Sequence, residues 1–201
     1  NDRVERAVGS PDWTCFYRSA SKAIQSLPVH ARRIPDKYGL TDRERAILSG
    51  SQMADFEHIA ALESILQKTG LKEEDMIMLP TYPLLESSRL ALLRDRMPPR
   101  RIYHNCAGKH LAMMMLSRDL GEEVKNYWRP ESKVQHLILN AISTLSGVRE
   151  GDIKTGVDGC GVPVYAVPFY AIAASYMRLA NPEMIEDEAL SEAAARNWGY
   201  I

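Results

Sequence analysis

The segment 132–145 constrains the fold more than any other. Val134, Leu137, Ile138, Ala141, Ile142 and Leu145 recur at intervals of three and four residues, and Gly147 follows. That spacing predicts the most amphipathic helix of the chain, with one wide apolar face that must be buried against other elements. Helical patterning continues elsewhere. Phe56, Ile59, Ala60 and Leu66 share one side of a helix over 54–69 that ends at Gly70. Thr41-Asp42-Arg43-Glu44 has the form of a capping box and opens a short helix ending near Gly50. Helices are also predicted from Asn105 to Gly121, from Phe169 to Ala180 after Pro168, over 183–201 ending around Asn197-Trp198-Gly199, and over a few residues near 84–96. A further helix follows Ser19 until Pro28 stops it. Strand signals are few and cluster at the start, where 1–17 reads as extended around the Gly9-Ser10-Pro11-Asp12 turn.

The 201 residues suit one large domain or two small ones, and no internal repeat is visible. The 25 Lys and Arg balance 26 Asp and Glu, a formal net charge of -1, which argues against a nucleic-acid binder driven by positive charge. No apolar run approaches the ~20 residues of a membrane span. Three widely spaced cysteines, Cys15, Cys106 and Cys160, do not make a secreted disulfide framework, so reduced thiols in a cytoplasmic protein are expected.

Three constellations could carry chemistry. Ser19 and Lys22 stand in S-x-x-K spacing, which at a helix start places the amine one turn from the hydroxyl. A lysine of depressed pKa can take the serine proton and make a nucleophile without histidine; the same spacing also suits a capping serine followed by a surface lysine. Cys106 and Cys160 lie in Asn105-Cys106-Ala107-Gly108-Lys109-His110 and in the glycine-rich Gly156-Val157-Asp158-Gly159-Cys160-Gly161-Val162-Pro163. Two cysteines alone do not complete a zinc site, but His110, Lys109 or Asp158 with water would; the alternative is two buried thiols acting as small apolar groups. Ser49-Gly50-Ser51 brings hydroxyls to the end of the capped helix, with His58 one turn into the next.

Taken together these motifs resemble the asparaginase II family, typified by the rhizobial-type L-asparaginase. The resemblance rests on Phe16-Tyr17-Arg18-Ser19 with Lys22 and Gln25, the N-C-x-G-K-H segment at 105–110, Tyr127 and Pro130 with Gln135, and the glycine-cysteine segment 156–163. It implies an α/β (α+β) fold of the serine β-lactamase and glutaminase type, with helices packed on a mixed sheet. It implies hydrolysis of L-asparagine to L-aspartate and ammonia. Ser19 would be the nucleophile, Lys22 its base and Ser51 the second serine. Cys106, Lys109 and Cys160 would hold Zn2+, with Arg18, Asp158 and His110 at the substrate. A homodimer, no nucleic acid and no membrane are expected.

The chain departs from the family pattern at Ala20, Ala23 and Ala107, and where the usual S-H-S-G-E reads Ser51-Gln52-Met53-Ala54-Asp55. Family members run on past the equivalent of Ile201. The expectation is therefore one asparaginase II-like domain over 1–201, incomplete at both ends, and inactive alone without a second catalytic lysine and the closing strands. Two other readings compete: a glutaminase or other small-amide hydrolase, since one methylene discriminates by only ~1–3 kcal/mol, and a zinc-binding relative that has lost catalysis.

Overall fold

A computed structural model describes residues 4–197 and Gly199. The elements in chain order are β1 (Thr14–Phe16), α1 (Lys22–Gln25), α2 (Leu27–Ala31), α3 (Ile34–Lys37), α4 (Asp42–Leu48), α5 (Phe56–Thr69), α6 (Glu86–Arg94), α7 (Ala107–Asp119), α8 (Lys133–Ser146), β2 (Lys154–Val157), β3 (Pro163–Pro168), α9 (Phe169–Ala180) and α10 (Glu188–Asn197). The predicted amphipathic helix is α8. Ser132 caps it by accepting the Gln135 N–H, and Gly147 ends it in the left-handed region. Val134, Ile138, Ala141, Ile142 and Leu145 are fully buried against α1, α2, α7, α9 and β3. The Thr41–Glu44 capping box is formed in both directions at the start of α4.

Helix α7 is buried from Ala107 through Ser117 on every side. It shows no amphipathic stripe because it runs through the middle of the molecule. Pro28 does not stop the helix after Ser19. It occupies the first turn of α2, where its missing N–H costs nothing, so the chain bends at Ser26 and continues.

The sheet has the order β1-β3-β2, and both pairings are antiparallel. The expected mixed sheet is thus an all-antiparallel one among the described residues, and the overall class is α+β. Strand β1 falls within the extended stretch predicted at 1–17, but the other two strands were not predicted. Two of the three flank the glycine-rich segment, which folds as a tight turn: Asp158 N–H donates to the Val162 carbonyl at 2.9 Å, and Gly161 sits at φ +90°. Strand β3 is covered on both faces, so its sequence lacks the alternation that marks a half-exposed strand. The end predicted near Trp198 lies outside the described residues, where α10 is followed to Asn197.

Candidate active site

The segment leading into α1 is held from several sides. Tyr17 N–H donates to the Tyr165 carbonyl of β3 at 3.0 Å, and its hydroxyl meets Ser175 of α9 at 2.5 Å. Ser21 donates to the Arg18 carbonyl at 2.8 Å, and the Tyr176 hydroxyl donates to the Ala20 carbonyl. Arg18 is left at φ +52°, a conformation that costs a non-glycine residue on the order of 1 kcal/mol and is tolerated where the surroundings impose it. Ser19, next in the chain, is exposed. Its hydroxyl has no hydrogen-bond partner among the described residues.

Lys22 is 1% exposed. Its Nζ donates to Ser51 Oγ at 2.6 Å and to the Asn105 carbonyl at 3.2 Å. Burial pushes its pKa below the ordinary lysine value, and Lys109 adds to the shift. Cys106 and Cys160 oppose it. The serine that Lys22 touches is therefore Ser51, twenty-nine residues away, rather than Ser19 one turn away.

Ser51 is delivered by a pinned loop. Ser49 is buried and meets Ser26 Oγ at 2.7 Å, while Asn197 of α10 donates to it at 3.2 Å. Gln52 is 1% exposed and spans the gap to the segment before α7. Its N–H donates to the Asn105 carbonyl at 3.2 Å, its Nε2 to the carbonyls of Ile102 and His104 at 3.0 and 2.7 Å, and its Oε1 accepts the Ala54 N–H. Sequence reasoning missed Gln52. A polar residue in an undefined loop carries no periodic signal, and its departure from the family pattern was the only hint. His58 does not join Lys22. Its Nδ1 lies 2.9 Å from Asp55 on the rim of a cavity of about 280 Å³ that Ser51, Arg43 and Gly50 also line.

The second cluster forms where the N-terminus of α7 meets the 158–162 turn. Lys109, 2% exposed, donates to Asp158 Oδ2 at 3.1 Å. Arg18 reaches Asp158 Oδ1 at 3.3 Å, the Gly159 N–H donates to the same oxygen at 2.9 Å, and the Cys160 thiol meets Oδ2 at 3.7 Å. Burial alone would raise the Asp158 carboxyl, but the charges of Lys109 and Arg18 and these donors hold it below the usual value. Cys106 and Cys160 are both buried, and the Cys106 thiol donates to Asn105 Oδ1 at 3.6 Å. The influence of each thiol on the other draws Cys106 down to about 6 and, with burial, pushes Cys160 up to about 11. His110 is enclosed behind them. Burial lowers its pKa, and its Nδ1 lies 2.6 Å from the Tyr127 hydroxyl.

The structure thus brings Arg18, Lys22, Ser51, Cys106, Lys109, His110, Asp158 and Cys160 to one region around the start of α7, with Ser19 on its exposed margin. Among the described residues, no group of three or more His, Cys, Asp and Glu is placed to hold a metal ion. A metal site here would need the Lys109 amine as a third donor beside the two thiols. Both thiols are free of disulfides and enclosed, and two thiolates with one neutral nitrogen are a donor set that zinc accepts.

Among the described residues, no helix is long and apolar enough to cross a membrane. No curated protein matches the chain. The family model for L-asparaginase II matches residues 1–197, nearly the whole sequence, and the match takes in every residue of the cluster just described. The chain belongs to the L-asparaginase II family.

Proposed function

We propose that the protein hydrolyses the side-chain amide of L-asparagine to L-aspartate and ammonia with a serine–lysine pair, on a fold of the serine β-lactamase and glutaminase type. The observation that carries this reading is the buried Lys22 amine at 2.6 Å from an exposed serine hydroxyl. An amine stripped of water loses its proton more readily, and a neutral amine is a base at moderate pH.

In the reaction, Lys22 accepts the hydroxyl proton as the serine oxygen attacks the amide carbon. The same proton passes to the departing nitrogen, and ammonia leaves an ester on the serine. Water, deprotonated by Lys22, then releases aspartate. Ser19 is the nucleophile that the family resemblance implies for this reading, while the hydroxyl that Lys22 touches is that of Ser51. Ser19 is exposed, and its N–H lies in the first turn of a helical segment, free of a backbone carbonyl partner among the described residues. A donor so placed suits an oxyanion. A second assignment makes Ser51 the attacking hydroxyl, and the Lys22–Ser51 bond favours it. Arg18 and Asp158 supply one charge of each sign for the substrate's carboxylate and ammonium, and His110 backs the pocket wall.

Zinc belongs to the same proposal, held by Cys106, Lys109 and Cys160. When bound it would supply fixed positive charge beside the reacting amide. Lys109 then has to leave its bond to Asp158, and the freed carboxylate turns to the substrate ammonium. A cytoplasmic setting, with its thiols reduced, and a homodimeric assembly complete the reading; light scattering on the purified protein tests the dimer.

Ammonia release from L-asparagine and L-glutamine is the deciding assay, with zinc, for wild type, Ser19→Ala and Ser51→Ala. Loss of asparagine hydrolysis in Ser19→Ala with partial retention in Ser51→Ala supports Ser19 as nucleophile. The reverse pattern moves the role to Ser51. Faster release from glutamine would reassign the substrate. No release from a folded, zinc-loaded wild type would sink the hydrolase reading.

A further inference from the structure

Gln52 takes no part in the chemistry above, yet it is 1% exposed and both polar atoms of its side chain are bonded. Its Nε2 donates to the carbonyls of Ile102 at 3.0 Å and His104 at 2.7 Å. Its Oε1 accepts the Ala54 N–H. A primary amide offers two donors on nitrogen and an acceptor on oxygen, and here each meets its opposite. Turned over, the amide would set its oxygen against two carbonyl oxygens and its nitrogen against an N–H, so its neighbours fix its orientation. A carboxylate of the same shape has no donor for the carbonyls, and a thioether of similar size supplies neither function.

The backbone of Gln52 completes the arrangement. Its N–H donates to the Asn105 carbonyl at 3.2 Å, and Lys22 Nζ donates to that same oxygen at 3.2 Å. Both lone pairs of the carbonyl are thereby used. The residue before Gln52 is Ser51, whose hydroxyl Lys22 touches at 2.6 Å. Both partners of the amine are thus tied to Gln52, one through a peptide bond and one through a hydrogen bond. Glu73 holds the same segment at its other end, its Oε1 accepting the N–H of Arg101 at 2.7 Å and of Ile102 at 3.2 Å. Ala54, two residues beyond Gln52, stands at φ +56°, so the bond to Gln52 Oε1 also maintains a strained turn behind Ser51. We infer that Gln52 is a positioning residue: it sets the Ser51 loop against the Asn105 carbonyl and so holds Lys22 between two fixed partners. Gln52 acts through those partners and not on the reacting atoms. The role is the same whether Ser19 or Ser51 attacks, because it is the amine that is held. Its kinetic consequence rests on the amidohydrolase reading above; the placement of Ser51 against Lys22 does not. A displacement of about 1 Å at reacting groups costs on the order of 100-fold in rate. Arg18 and Asp158 keep their places, so the loss belongs in kcat and not in KM.

Gln52→Met keeps the bulk and removes both functions. Its kcat for asparagine should fall about 100-fold with KM unchanged. Gln52→His, which can donate to one carbonyl from one ring nitrogen and accept the Ala54 N–H on the other, should recover part of the loss. Thr69→Val removes the buried hydroxyl bonded to the Ile65 carbonyl at the end of α5, and serves as the stability control: it should lower Tm and leave kcat alone. Wild-type kcat in Gln52→Met, or a change in KM only, would overturn the inference. Crystal structures of wild type and Gln52→Met read the geometry without turnover. Ser51 Oγ should lie within hydrogen-bond distance of Lys22 Nζ in the first and beyond about 3.5 Å in the second. An unmoved Ser51 would overturn the inference even if neither protein releases ammonia. Displacement of Ser51 together with an inactive wild type would sink the hydrolase reading and leave the positioning role standing. If Gln52→Met does not fold, Gln52→Asn, which keeps the amide but falls one methylene short of the carbonyls, is read in the same way.

Discussion

Gly108 offers the sharpest test of how the site is assembled. It lies in the first turn of α7, between Cys106 and Lys109, where α7 crosses the end of α4. A Cβ built on Gly108 would stand 1.8 Å from the Ile47 carbonyl oxygen and 2.7 Å from its carbon. Ordinary contact begins near 3.4 Å, so Gly108→Ala requires α4 and α7 to separate by about 1.6 Å, the difference between 3.4 and 1.8. The obstacle is backbone, which has no rotamer to change. Alanine in a helix interior normally gains about 1 kcal/mol over glycine. Overpacking of this kind costs up to about 3 kcal/mol, occasionally more. The net expectation is destabilisation of about 2 kcal/mol, a fall in Tm of about 4–8 °C at this chain length. Urea unfolding followed by circular dichroism reads the stability. The same separation withdraws the loop after α4, and with it Ser51 from Lys22 and Gln52 from Asn105, so asparagine hydrolysis should drop by more than the loss of folded protein explains. A Gly108→Ala protein as stable as wild type, or more so, would refute the close crossing and the placement of Ser51 that depends on it.

Other perturbations give separate tests. Ala54 sits at φ +56° where glycine would be at ease, so Ala54→Gly should change stability by less than about 0.5 kcal/mol, strain relief offsetting the lost methyl; Ala141→Gly, in the buried interior of α8, should cost about 1–2 kcal/mol, and equal losses at the two positions would contradict the strained loop. His30 is buried and its pKa is lowered to about 4 by desolvation, then by Arg45 and Arg196. A depressed histidine stabilises the fold fully above its unfolded value near 6.5 and loses that contribution as pH falls toward 4, so about 2 kcal/mol should disappear between pH 7 and pH 5; His30→Leu should flatten that part of the stability profile, and an unchanged slope would count against it. The depressed Lys22 acts only when neutral, so kcat/KM should rise with pH through a midpoint below 10.5, and Lys22→Arg should abolish activity across the range.

Much of the helical frame was legible because its signals are local. The Thr41–Glu44 box, the α8 stripe and the glycine stops at Gly70 and Gly147 each follow from residues within a few positions of one another. Helix α7 was read over Asn105 to Gly121 although it is enclosed on all sides and shows no stripe, whereas strand β3 was missed because enclosure on both faces erases the alternation that would mark it. The motif residues Lys22, Cys106, Lys109, Asp158 and Cys160 were visible from spacing and family resemblance. Their partners were not. No local rule connects Lys22 to Ser51, Lys109 to Asp158, or Tyr127 to both Ile77 and His110. Those contacts exist because α4, α7 and the 158–162 turn pack against one another, with a glycine at the crossing. The sequence by itself determined which groups capable of chemistry the chain carries and most of the helices that bear them. The tertiary structure decided which hydroxyl the buried amine touches and which carboxylate holds Lys109, because a bond between distant residues depends on the packing of whole elements, which no short stretch of chain encodes.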